Sequence, residues 1–190
     1  MRSQISKWML IIMIVIAPLF AYAATPVWQI IPDESSITFK GVQNGAPASG
    51  KFKKFTGTIH FDPDDLNTSN VKIDIDMNSV SMSYADFTSA LISEDWFNVK
   101  LFPNAIFEAT HFTKIDNNLY KANGSLTIRD KSVPIEISFD AKEQPGNKVL
   151  VTGSTVVKRT QFGVGQGEWS DTDAIKDNVD VAFSVTAKRE

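Results

Sequence analysis

The feature that most limits what this chain can become is a period of two. Val71, Ile73, Ile75 and Met77 alternate with Lys72, Asp74 and Asp76. Val133, Ile135, Ile137, Phe139 and Ala141 face Glu136, Ser138 and Asp140 across the pleat, and Val179, Val181, Phe183, Val185 and Ala187 face Asp180, Ser184 and Lys188. Phe55, Gly57, Ile59 and Phe61 make a fourth row. Successive side chains of a strand point to opposite faces, so this alternation means strands with one apolar and one wet face.

Turn signals separate the rows: Asp62-Pro63-Asp64-Asp65, Asp116-Asn117-Asn118, Arg129-Asp130-Lys131-Ser132 and Gln144-Pro145-Gly146-Asn147. Strands are expected at about 27–31, 36–42, 52–61, 70–80, 105–114, 118–129, 132–142, 147–159 and 178–189. Short hairpins between most of them argue for an antiparallel meander. Eight or nine such strands form either a sandwich or a closed barrel, and closure removes exposed edges. Ser83 to about Ile92 breaks the period: Ser83 and Asp86 have the spacing of a capping box, with Phe87, Ala90 and Leu91 on one helical face. The aromatic stretch Trp96-Phe97-Asn98-Val99-Lys100-Leu101-Phe102-Pro103 comes next, either a core plug or the closure of a barrel end.

The first residues read as an export signal. Arg2 and Lys7 precede an apolar run from Met9 to Phe20, and Ala21-Tyr22-Ala23 has the small-x-small pattern of a cleavage site. A signal peptide over 1–23 and one domain over 24–190 are therefore expected, with a retained anchor as the alternative. Without Arg2 and Lys7 the formal charge moves from −3 to about −5. That acidity, with no basic cluster, speaks against nucleic acid as a partner. The chain has no Cys, so thiol redox chemistry, disulfides and Cys-based zinc sites are excluded.

The inventory for catalysis is thin. His60 and His111 lie on expected strands with no carboxylate at metal-ligand spacing. Asp171-Thr172-Asp173 with Asp177 lacks the Gly and Glu of a calcium loop. No nucleophile elbow or phosphate loop occurs, and neither an enzyme nor a cofactor is expected. What the chain has in excess is aromatic and aliphatic surface on the inner face, which either fills a small barrel or lines a cavity for an apolar ligand.

Longer motifs choose between these. Trp28-x-Ile30-x-Pro32-Asp33-x-Ser35-x-Ile37-x-Phe39 is succeeded by Gly50-x-Phe52-x-x-Phe55-x-Gly57-x-Ile59-x-Phe61-Asp62, by Asp95-Trp96-Phe97, by Phe102-Pro103-x-Ala105-x-Phe107 and by Gly124-x-Leu126-Thr127-Ile128-Arg129 with Pro134. Lys158-Arg159-Thr160-Gln161-Phe162-Gly163-Val164-Gly165, then Gly167-Glu168-Trp169, is the most specific piece. In their order and spacing these motifs resemble the YceI-like family. Asp130 stands where that family usually has Gly, at a position expected to be left-handed.

The resemblance implies an all-β, eight-stranded antiparallel lipocalin-like barrel, closed at one end by a short helix and an aromatic loop. It also implies a periplasmic protein that holds a long-chain polyisoprenoid, an isoprenoid quinone or a prenyl phosphate, as carrier or buffer. The alternative is an exported interaction or stress-response module with a filled core. Residues expected at the lipid are Phe39, Phe55, Ile59, Phe61, Ile75, Met77, Phe87, Leu91, Trp96, Phe97, Phe107, Ile137, Phe139, Phe162 and Phe183. Arg159, in phase with Gly153, Thr155 and Val157, is either the head-group cation or an outward, salt-bridged residue. Transient contact with a membrane or membrane proteins is the other expected partnership. The oligomeric state is open.

Overall fold

The computed structural model describes residues 24–190; the expected signal peptide lies outside them. Eleven strands form one sheet: β1 (Val27–Ile30), β2 (Ser36–Gln43), β3 (Ala46–Phe52), β4 (Phe55–His60), β5 (Asn70–Asp76), β6 (Val80–Met82), β7 (Asn104–Lys114), β8 (Leu119–Ile128), β9 (Lys131–Gln144), β10 (Lys148–Lys158) and β11 (Asn178–Arg189), with helix α1 (Ala85–Ile92) between β6 and β7. Three consecutive pairs are single strands bent in the middle: β1–β2, β3–β4 and β5–β6. Counted that way the chain is an eight-stranded antiparallel meander. It closes because β11 pairs with β1 at one end (Ile30 opposite Ala187) and with β2 at the other (Phe39 opposite Val181).

The bends are held by serines. Where β1 turns into β2, Thr186 N donates to Ser35 Oγ at 3.0 Å and Ser35 Oγ donates to Ile31 O at 2.7 Å. Where β3 turns into β4, Lys53 N and Lys54 N donate to Ser79 Oγ at 3.1 and 3.0 Å. Each hydroxyl adds to the backbone pairing that the interrupted ladder leaves incomplete.

Three expectations need correction. The connection expected between 42 and 52 is itself a strand, β3, paired with β2 through a hairpin whose tip is Asn44-Gly45, at φ 50° and 78°. That dipeptide is the strongest short hairpin signal a sequence carries; Pro47 and Gly50, poor strand formers, disguise the hairpin's second strand. The strands expected at 52–61 and 70–80 are each broken by a bend. The capping box does not form: α1 begins at Ala85 with Tyr84 as an extended N-cap and no side-chain cap bond. Ser83 lies in a bend between β6 and the N-cap, and the side-chain bond at this end is instead from Met82 N to Thr88 Oγ1, 3.0 Å.

Beyond β6 the wall lacks a pairing with β7, because β7 starts only at Asn104. Helix α1, the loop 93–103 and the loop 159–177 fill that end. At the opposite end lie the turns around Asp64, Asn117 and Gly146.

Candidate functional site

The barrel is hollow. Its interior consists of two chambers, of about 820 Å³ and about 230 Å³, the larger within the usual range of roughly 300–1,000 Å³ for a small-molecule site. Ile37, Ile75, Leu126, Val157 and Val181 line both chambers. They form an apolar waist at which the two spaces adjoin.

The larger chamber is walled by the inward rows of β4, β5 and β7 to β11, including Ile59, Phe61, Phe107, Ile137, Phe139 and Phe183. Phe61 sits at the middle of an aromatic cluster, with ring centroids 5.3 Å from Tyr120, 5.6 Å from Phe112 and 5.9 Å from Phe139. Such edge-on pairs add to the burial energy of each ring. Asp64, Lys114, Asn117, Asn118, Lys142, Glu143 and Gln144 line it at the turns, a polar rim round an apolar throat.

The smaller chamber lies under the filled end. Phe39, Met77, Phe87, Leu91, Trp96, Phe97, Arg159 and Phe162 line it, joined by Met82, Ala90, Trp169 and Ile175. Of the side chains expected at the lipid, only Phe55 lines neither chamber. It comes directly after the bend at Lys53–Lys54 and is buried in the core group of Ile30, Ile37 and Val185. The residues expected at the lipid did not include Phe112, Tyr120, Met82 and Trp169, which also line the chambers. Phe112 has a clear reason: β7 carries a register shift between Ala109 and His111. Phe107 and Phe112, five residues apart, therefore both face inward, which strict alternation forbids.

Arg159 is neither on the strand nor outward. β10 ends at Lys158, and Arg159 opens a short 3₁₀ turn, Arg159–Phe162. The residue is 4% exposed. Its Nη1 donates to Val164 O and Gly165 O at 3.0 and 3.2 Å, and its Nη2 to Asp171 O and Ile175 O at 2.8 and 2.9 Å. One side chain thus clasps both limbs of the loop 159–177. Burial pushes its pKa below the usual arginine value, opposed by Asp177 and Asp171; a guanidinium remains charged at neutral pH all the same. Its Nε has no acceptor, and neither does the buried Nε1 of Trp96. An orphaned buried donor costs about 1–3 kcal/mol. The Arg159 Cζ lies 5.9 Å from the centroid of the Trp96 ring, which in turn is 6.0 Å from that of Trp169.

Arg129 performs a matching clasp from the β8–β9 turn. Its Nη1 donates to Glu94 O, Trp96 O and Gly163 O at 3.0, 2.6 and 3.0 Å. The aromatic loop is thereby fixed to the loop 159–177. Arg129, not Asp130, is the left-handed residue of that turn, at φ 58°. The acidic run at 171–177 is engaged internally: Asp173 N donates to Asp171 Oδ1 at 2.8 Å, and Thr160 Oγ1 donates to Asp177 Oδ1, also at 2.8 Å. Among the described residues no three of His, Cys, Asp and Glu group as metal ligands, and no helix is long and apolar enough to cross a membrane.

Comparison with known proteins agrees with this architecture. A UPF0312 protein of Vibrio cholerae is 27% identical over 153 residues, 77% of this chain and 81% of that one. The crystal structure of Burkholderia cenocepacia BcnA superposes with a TM-score of 0.80 at 28% identity, covering 84% of this chain and 99% of that one. A polyisoprenoid binding domain from Saccharophagus degradans, implicated in plant cell wall breakdown, shares the fold at a TM-score of 0.70 and 12% identity, covering 88% of this chain and all of its own (100%). The profile of the YceI-like domain matches residues 28–187, nearly the whole barrel from Trp28 to Ala187, and the chain belongs to that family.

Proposed function

We propose that this protein is a non-catalytic carrier or buffer that holds one long-chain polyisoprenoid lipid in its hollow interior, in the periplasm, after removal of the segment 1–23. The observation that carries the reading is the shape of the interior: two apolar chambers that adjoin at a waist of five shared aliphatic side chains. A compact ligand needs one chamber, whereas a flexible branched hydrocarbon chain fits both in series. The solved Saccharophagus degradans domain with the same fold is a polyisoprenoid binding domain, and it supports the same cargo here. A filled interaction module does not fit a cavity of about 820 Å³. No His or Cys lines either chamber, in keeping with binding and not turnover.

The energetics suit a carrier. A five-carbon prenyl unit buried from water gains about 4 kcal/mol at roughly 0.8 kcal/mol per CH₂. Eight units would give on the order of 30 kcal/mol, beyond the ceiling of about 18–21 kcal/mol for non-covalent binding. The relevant alternative for the lipid is a bilayer, which is equally apolar, so transfer into the barrel is close to neutral and the cargo can be both loaded and released.

The test is direct. The mature protein, purified without detergent, is extracted with organic solvent and the extract analysed by mass spectrometry. One prenyl lipid per barrel is the expected result. A preparation that carries no such lipid, and takes none up from vesicles doped with one, overturns the proposal.

A further inference from the structure

We infer that the filled end of the barrel docks on a bilayer, laying Tyr84, Phe87, Ile92 and Leu101 on a surface without net charge; this rests on the lipid-carrier reading and gives the same cavity its partner surface. Among the described residues seven large apolar side chains are exposed, and these four fall between 84 and 101. Tyr84 and Leu101 are 70% exposed, Ile92 40% and Phe87 37%. At the start of α1 the ring of Tyr84 meets that of Phe87 edge-on, with centroids 5.8 Å apart. At its end Val99 N donates to Ile92 O at 3.4 Å, which ties the loop that carries Leu101 to the last residue of the helix.

The extent of the patch argues against a second copy of the chain. At those fractions the four side chains expose about 400 Å², ordinary for the largest apolar patch of a monomer at roughly 300–600 Å². A stable protein interface buries roughly 800 Å² per partner, about twice as much. A bilayer sets no such minimum, since an amphipathic surface settles into the head-group boundary in proportion to the apolar area it offers. Tyr84 suits that boundary because its ring is apolar and its hydroxyl stays wet. Continuity with the cavity favours the same occupant. Of the seven exposed side chains Phe87 alone also lines a chamber, beside Ala90 and Leu91 of its own helix. At the opposite end Ile115 and Leu119 are exposed but line neither chamber, and Asp64, Lys114, Lys142 and Glu143 line the larger one there.

Charge selects the kind of bilayer. Residues 83–103 carry three acidic residues against Lys100, and residues 159–177 carry four against Lys176 and the buried Arg159. These segments are therefore acidic and hold no basic cluster that would attract an anionic surface. Repulsion from such a surface weakens as salt screens it.

The test floats the mature protein with vesicles of phosphatidylcholine, pure or mixed with phosphatidylglycerol, at low and high salt. Tyr84→Ser with Leu101→Ser removes the two most exposed members, neither of which lines a chamber. Ile115→Ser with Leu119→Ser is the matching change at the opposite end. The wild type and the second variant are expected to bind pure phosphatidylcholine vesicles equally, and the first variant at least about tenfold more weakly. Circular dichroism of the first variant is expected to match the wild type, since both positions are at the surface. Mixed vesicles are expected to bind less than neutral ones at low salt and to approach them at high salt. Four outcomes overturn the docking face: no binding to neutral vesicles, binding that survives in the first variant, a preference for the mixed vesicles at low salt, or self-association of the wild type that the first variant abolishes. Each leaves the carrier reading intact when the same preparation yields a prenyl lipid on extraction. A preparation that holds no prenyl lipid and takes none up from either vesicle overturns both.

Discussion

At the scale of single residues, the family-like signature 158–165 is a structural clasp before it is anything else. Arg159 ties together four backbone carbonyls, Phe162 is sealed at 1% exposure, and Gly165 passes under the guanidinium at φ 77°, where an added Cβ would strike Arg159 Nη1. Gly146 has a similar φ of 81° but nothing near its missing side chain. The pair therefore separates two costs. Gly146→Ala is expected to lose about 1 kcal/mol, the penalty for an L-residue in the left-handed region. Gly165→Ala is expected to lose roughly 2–3 kcal/mol, because the clasp must also shift. Equilibrium denaturation of the two variants measures the difference, and equal losses would mean that Arg159 does not depend on that close approach.

At the scale of elements, the filled end of the barrel divides into a fixed part and a loosely held part. The loop 93–103 is pinned by Arg129 and by Met77 N donating to Pro103 O at 2.8 Å. Helix α1 is different: Tyr84 and Ile92 are 70% and 40% exposed, and its one side-chain tether to the sheet is Met82 N to Thr88 Oγ1. Few buried contacts and exposed hydrogen bonds are the marks of a segment that opens at low cost, so α1 is the candidate gate and the aromatic loop its frame. Thr88→Val keeps the size and removes the acceptor. It is expected to speed amide exchange across 85–92 by about fivefold to tenfold, for a hydrogen bond contributing roughly 1 kcal/mol, and to speed lipid transfer from vesicles with it. Faster exchange without faster transfer would remove α1 from the path. The motif beginning at Trp28 also has an element-level meaning: Trp28 Nε1 donates to Phe61 O at 2.9 Å, and Ser35 holds the bend that lets one strand pair along the whole of β11.

At the scale of the molecule, the waist decides what length of cargo fits. Leu126 lines both chambers, and Leu126→Trp should narrow the passage at an overpacking cost of about 1–3 kcal/mol. A long prenyl lipid is then expected to lose at least about tenfold in affinity, while a probe short enough for one chamber stays within about threefold. A parallel loss for both lengths would mean that the chambers act independently of their connection. Stability should obey ordinary packing rules. The exposed pair Lys72–Glu108, at 2.8 Å, raises the Lys72 pKa through its hydrogen bond and charge. Whatever it contributes is fully present below the unfolded lysine pKa and is lost only as pH rises through the folded one, in the alkaline range.

The alternation of Val179 to Ala187 and of Ile135 to Ala141 was enough by itself to establish strands, their inward faces and an antiparallel meander, because side-chain direction in a strand is a local property of the pleat. The motifs from Trp28 to Trp169 added the family and, through it, closure. Three things depended on tertiary structure. The register shift in β7 brought Phe112 inside, the bends at Ser35 and Ser79 turned eleven segments into eight staves, and the loop 159–177 folded back so that Arg159 met four carbonyls five to sixteen residues further along the chain. Each depends on which backbone groups find partners once the chain is folded, a matter that alternation along a strand does not record. The hollow interior belongs to the same class: an inward row of large side chains can fill a barrel or line it, and only the radius at which the sheet closes decides between them.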